Sequence, residues 1–121
     1  MMLPTIQNIE SYKTEQTYLN QSYVQLHKDI ARTGIELQEI VKDKWSFDDL
    51  VDYLRPTIER LFEVNSEKLF AFFYTIDIPE KAIRAALNDN GSLGVSHAVT
   101  KLIIERELLK VLTKAYFSGR L

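Results

Sequence analysis

The side chains of this chain that could act on a substrate are few: the histidines His27 and His97, the carboxylate groups Asp48-Asp49-Asp52 and Glu105/Glu107, and the serines Ser92 and Ser96. A metal centre would need the histidines brought together with carboxylates. The Glu-x-x-His spacing of helical carboxylate-bridged metal sites is missing, because no histidine follows a glutamate by three residues. No metal or other cofactor is expected, and a satisfied or exposed histidine is the plainer reading at both positions.

Acid–base work by paired carboxylates needs a pocket and a shifted pKa, neither of which spacing supplies. Asp48, Asp49 and Asp52 read more simply as negative charge at a helix start, and Glu105 and Glu107 as a solvated band. Ser92 and Ser96 lack the strand-turn-helix context of a nucleophile elbow, and Gly91-Ser92-Leu93-Gly94 is too short to cradle a phosphate. The loop Asn88–Gly94 looks superficially like a calcium loop. With Gly91 in the sixth position, however, Ala86 falls first and His97 twelfth, where Asp and a bidentate Glu are required.

Aromatic rings interleaved with bases would indicate nucleic-acid binding. Phe70, Phe72, Phe73 and Tyr74 have no basic cluster beside them, so core packing explains them. Tyr12, Tyr18 and Tyr23 differ, since rings on an outer helix face would be rigid, amphipathic anchors for a partner. Together with Ile104, Leu108 and Val111 of the last helix they form the candidate interaction surface.

Composition narrows the setting. The net charge of −2 lacks the basic excess of a phosphate-backbone binder, which argues against nucleic acid. There is no cysteine, so no disulfide framework, thiol nucleophile or thiolate metal site is available. No segment approaches the about 20 apolar residues of a membrane helix, and Met1–Asn8 has neither a basic nor an apolar signal-like region. A cytoplasmic protein is expected.

The elements that must position these groups follow from periodicity. Residues 1–13 show no sustained period and read as a flexible or loosely docked arm. Leu19, Tyr23, Leu26, Ile30, Thr33, Leu37 and Ile40 then follow at steps of four and three, predicting a long amphipathic helix to about Val41 with a break or kink near Gly34. A second helix starts at a Ser46 cap and carries Pro56, which implies a kink or a restart. The apolar run Leu69–Ile76, capped from Asn65 or Ser66, predicts a third helix so apolar on all sides that it should be the centrepiece. Asp77-Ile78-Pro79-Glu80 offers a cap, a first-turn proline and a capping-box acid for a fourth helix over Pro79–Leu87. The last helix, Val95–Phe117, carries a wide apolar face, with Lys101–Glu105 and Glu107–Lys110 spaced as charge pairs and Gly119 as its stop.

The segments Leu69-Phe70-Ala71-Phe72-Phe73-Tyr74-Thr75-Ile76-Asp77-Ile78-Pro79-Glu80 and Leu102-Ile103-Ile104-Glu105-Arg106-Glu107-Leu108 resemble a group of small uncharacterised helical proteins of Bacteroidota bacteria. The resemblance covers about the C-terminal half. It implies a helical fold and a bacterial cytoplasmic setting, and brings no assigned activity or site residues.

The fold expected is all-α: residues 1–121 as a single bundle of about five helices, with a central apolar helix and a tight helical hairpin at Asp77–Pro79. The leading expectation for function is a non-catalytic interaction or regulatory protein whose partner is another protein or a second copy of itself. A small enzyme with Glu105, Glu107 and His97 around an interhelical pocket is the alternative, and nucleic-acid binding the third.

Overall fold

The computed structural model describes residues 2–121, which form five α-helices: α1 Gln16–Ala31, α2 Phe47–Val64, α3 Ser66–Thr75, α4 Glu80–Leu87 and α5 Gly94–Phe117. A 3-10 turn, Glu10–Thr14, precedes α1, and no strand occurs among the described residues. The all-α bundle required by the three-four periodicity is present.

Its central element is α5, which packs against α1, α2 and α4. At 24 residues α5 is about 36 Å long and can reach every partner, whereas the ten residues of α3 span about 15 Å. The Leu69–Ile76 run is therefore not the centrepiece. Leu69, Phe72, Phe73 and Ile76 are buried in the main core, but Phe70, Ala71 and Tyr74 face outward. Composition alone made α3 look apolar all round; its neighbours cover only one side.

Local chemistry sets the helix ends. Ser46 and Asp49 close a reciprocal capping box at the start of α2, with Asp49 N donating to Ser46 Oγ at 2.9 Å and Ser46 N to Asp49 Oδ2 at 3.1 Å. Pro56 lies inside α2 without a restart, and both it and Asp52 are exposed, so the Asp52 carbonyl that loses its helical donor can be solvated. Asn65 caps α3 by accepting from Lys68 N.

Asp77 does not cap α4. It takes a left-handed φ of +58° at the end of α3, where Asp77 N donates to Tyr74 O and Ile78 N to Phe73 O, the two bonds of a Schellman motif. Pro79 is then the N-cap of α4 and Glu80 its first residue. Arg106 on α5 fastens this turn, its Nε donating to Ile76 O at 2.7 Å. The same motif ends α5 at Gly119, φ +76°.

The long first helix stops at Ala31. Gly34, with φ +73°, turns the chain out of the helix, and residues 35–46 run as an irregular strap rather than continuing to Val41. Ile35 is buried, Leu37 is half-buried and Glu36 is exposed, so the strap alternates by two where the helical stripe had been read by three and four. Aromatic groups bind it down: Tyr23 stacks on the buried Trp45 at 4.5 Å, Tyr23 Oη accepts from Ile40 N at 2.9 Å, and Tyr53 Oη donates to Gln38 O.

Residues 2–13, read as a flexible or loosely docked arm, are docked through Ile9, while Met2, Leu3 and Ile6 are exposed. Ile9 is fully buried with Leu108, Leu109 and Leu112 in a second, smaller core on α5, and Tyr12 and Tyr18 pack at its edge.

Candidate functional site

Of the surface expected from sequence, the α5 half is interior. Ile104, Leu108 and Val111 are all buried, because α5 is surrounded and its wide apolar face is consumed within the chain. Tyr12 and Tyr18 are half-buried in an edge-to-face pair with centroids 6.0 Å apart, and Tyr23 is committed to Trp45 and the strap. The six positions do not form one exposed patch.

Exposed apolar side chains are scattered from Met2 to Phe117, and two of them, Phe70 and Tyr74 on α3, adjoin an apolar recess shared with α4. Tyr74 is 87% exposed and Phe70 40%. Both border a groove of about 470 Å³ between the two helices, whose walls include Phe73, Ile78, Ile83 and Leu87. Phe70 meets Phe73 edge to face at 5.3 Å, which holds the outer ring upright. The rim carries one acid and one base, Glu80 and Arg84, paired at 3.1 Å. No residue of α4 is fully buried; Ala82, Ile83, Ala86 and Leu87 are half-covered by the core. Sequence reading assigned these rings to the core because it had no means of telling which side of α3 its partners would cover.

The carboxylates and His97 do not converge. Glu105 accepts an ion pair from Lys13 at 2.7 Å, which replaces the expected pair with Lys101. The bonds from Glu10 and Glu105 raise the Lys13 pKa against an opposing loss of hydration. Glu105 and His97 do line one cleft between α4 and α5, about 480 Å³, with Asp89, Ser92 and Lys101 around an alanine-rich floor.

Glu107 faces the other way, toward α1, and is not part of a solvated band. Its side chain and that of Asp29 are both 0% exposed. Lys110 Nζ donates to Asp29 Oδ2 at 2.6 Å, Gln25 Nε2 to Asp29 Oδ1 at 3.1 Å, and Lys114 Nζ to Gln25 Oε1 at 2.8 Å. Lys110 therefore serves α1 instead of its helical neighbour Glu107. Neither Glu107 oxygen meets a donor. As a carboxylate Glu107 would be an uncompensated buried charge beside a second one; as an acid it can donate to Asp29. Desolvation first, and the Asp29 charge second, push its pKa up to about 9, so it carries a proton at neutral pH. Asp29 moves down despite its own desolvation, because Glu107, Lys110 and Gln25 all bond to its charged form. The result is a carboxyl–carboxylate pair with a single counter-cation, acting as a polar clamp between α1 and α5.

His27, the other histidine, sits beside Tyr53 with Nε2 2.7 Å from Oη. The Tyr53 proton is given to Gln38 O, so His27 Nε2 must be the donor in this contact. Loss of hydration lowers the His27 pKa, favouring the neutral ring. It is a structural histidine within the aromatic group that holds the strap.

No group of three or more His, Asp or Glu side chains among the described residues is placed to hold a metal ion, and no helix among them is long and apolar enough to cross a membrane. The chain matches no protein-family model, no curated protein and no solved structure.

Proposed function

We propose that this chain is a non-catalytic interaction protein that pairs with a second copy of itself through the α3–α4 groove. The observation that carries this reading is that one face holds both a projection and a recess: Tyr74 and Phe70 stand beside the groove bounded by Ile78, Ile83 and Leu87. A two-fold interface uses the same patch on both partners, so a face must be complementary to itself. Here the ring of one copy can enter the groove of the other, and an acid and a base on each rim can exchange partners, Glu80 against Arg84. Aromatic anchors in apolar recesses are the usual source of binding energy at such interfaces. A cytoplasmic setting belongs to the same proposal; the chain has no disulfide that a reducing compartment would break. Bacterial origin rests on the resemblance carried by residues 69–80 and 102–108.

Sedimentation equilibrium of the full chain tests the proposal. The wild-type chain should sediment as a dimer, and Tyr74→Glu and Ile83→Asp as monomers with an unchanged helical spectrum. A wild-type chain that stays monomeric at high concentration, or a Tyr74→Glu dimer as tight as the wild type, would rule this groove out.

A second reading, small-molecule chemistry in the α4–α5 cleft, is favoured by the presence of His97 and Glu105 in one recess. Its test is a nuclear magnetic resonance screen of small polar compounds. Compounds that move the His97 ring signals, and lose that effect in Glu105→Gln, support it; a cleft that responds to none removes it.

A further inference from the structure

We propose that the cleft between α1 and α5, floored by Gln25 and Val111, is a binding site for a small, multiply charged oxyanion of the phosphate class. Lys28, Lys114 and Arg120 line it, and no acidic residue among the described residues does. This is unusual for a chain of net charge −2. Three other clefts that hold a base also hold an acid: Lys101 with Asp89 and Glu105, Arg60 with Glu36, and Arg84 with Glu80. In the cleft, Lys114 bonds the neutral Gln25 amide and Arg120 Nε bonds Ser118 Oγ, so neither charge is neutralised.

The layer below the cleft leaves that positive potential in place. Asp29 is already taken by Lys110, and the neighbouring Glu107 is proton-bearing, so the buried pair contributes no free negative charge. Gln25 is buried and has both ends of its amide bonded, to Asp29 and to Lys114, which fixes the lysine over the floor before any ligand arrives. At the end of α5 the carbonyls of Ala115 and Tyr116 accept from Arg120 N and Gly119 N, so the last turn is closed by backbone and does not consume the cleft cations. Like charges gathered around one recess repel, and an anion bridging them relieves that repulsion while taking charge-assisted bonds from the lysines and the guanidinium.

Size restricts the ligand. The cleft volume is about 210 Å³, below the roughly 300 Å³ at which pockets for larger organic ligands begin. One or two phosphoryl groups fit, which points to free phosphate or pyrophosphate rather than a nucleotide. The site lies on α1 and α5, away from the α3–α4 groove, and stands or falls independently of self-association.

The experiment is calorimetric titration of the full chain with inorganic phosphate and with pyrophosphate, alongside pelleting with vesicles containing an anionic phospholipid. Saturable binding of a free anion is expected, tighter for pyrophosphate. Lys28→Gln and Arg120→Gln, both at exposed positions, should each weaken it about tenfold. Lys81→Gln, which removes the same charge from α4, should leave the affinity unchanged. Absence of saturable binding by the wild type, equal weakening by Lys81→Gln, or retention on vesicles without binding of either free anion would each overturn the site.

Discussion

The buried pair of Asp29 and Glu107 makes the stability of this chain depend on pH in a direction opposite to most carboxylates. The native chain keeps a proton on Glu107 that the unfolded chain releases above the ordinary value of 4.5, so stability is full at acid pH and declines as pH rises toward about 9. The slope in that window is at most about 1.4 kcal/mol per pH unit. Asp29 works the other way: the stability it contributes is present above its unfolded value of 3.8 and is lost on further acidification. Glu107→Gln keeps a donor for Asp29 and removes the titration. Urea unfolding midpoints should fall between pH 5 and pH 9 for the wild type and stay level for Glu107→Gln, which should be the more stable chain at pH 8. Asp77 supplies a second expectation at this scale. Its left-handed φ of +58° suits glycine, so Asp77→Gly should stabilise the chain by about 0.5–1 kcal/mol, seen as a higher thermal midpoint.

At the scale of elements, the segments that read correctly were those whose ends carry a local signal. The Ser46 cap, the cap of α3 at Asn65, one of the two candidates, and the Gly119 stop all depend on residues within four positions of one another, and all stand where their spacing placed them. Apart from Asp77, a local cap signal that the end of α3 takes up instead, what failed was non-local. The stripe through Thr33, Leu37 and Ile40 keeps a helical rhythm, but the break expected near Gly34 ends the helix outright, and Leu37, half-buried, and Ile40, exposed, lie on a strap pinned through Tyr23, Trp45 and Tyr53. Glu107 looked like a surface charge because its partner, Asp29, lies far away in the chain on α1. Phe70 and Tyr74 looked interior because nothing in their neighbourhood says which side of α3 is covered. The three cleft cations come from the last turn of α1, the last turn of α5 and the segment beyond it, so no window of sequence shows them as a patch. The strap itself is testable: Tyr23→Phe removes the acceptor of Ile40 N and should speed hydrogen exchange at that amide, while the α1 amides keep their protection.

For the whole molecule, the division of apolar surface decides what is left for partners. The main core takes residues from all five helices and the strap, and the smaller core is built from Ile9 and α5. Because α5 is used by both, most of its apolar face is covered, and the exposed rings of α3 beside their groove are an outward-facing apolar surface for association. The dimer expected from that face should show a concentration-dependent thermal midpoint, rising with protein concentration in the wild type and flat in Tyr74→Glu.

The docking of the N-terminal turn on α5 bears on the order of events during synthesis. Lys13 and Glu105 are separated by 92 positions, and Ile9 finds its cover on Leu108, Leu109 and Leu112. Contacts of such separation close late, since the loop entropy must be spent before they reward the chain. A nascent chain emerging from the ribosome therefore holds Ile9, Ile30 and the inner face of α2 uncovered until the last helix has been translated. The bundle therefore cannot close before α5 has emerged, and a nascent chain stalled short of α5 should be retained by chaperones that a chain including α5 escapes.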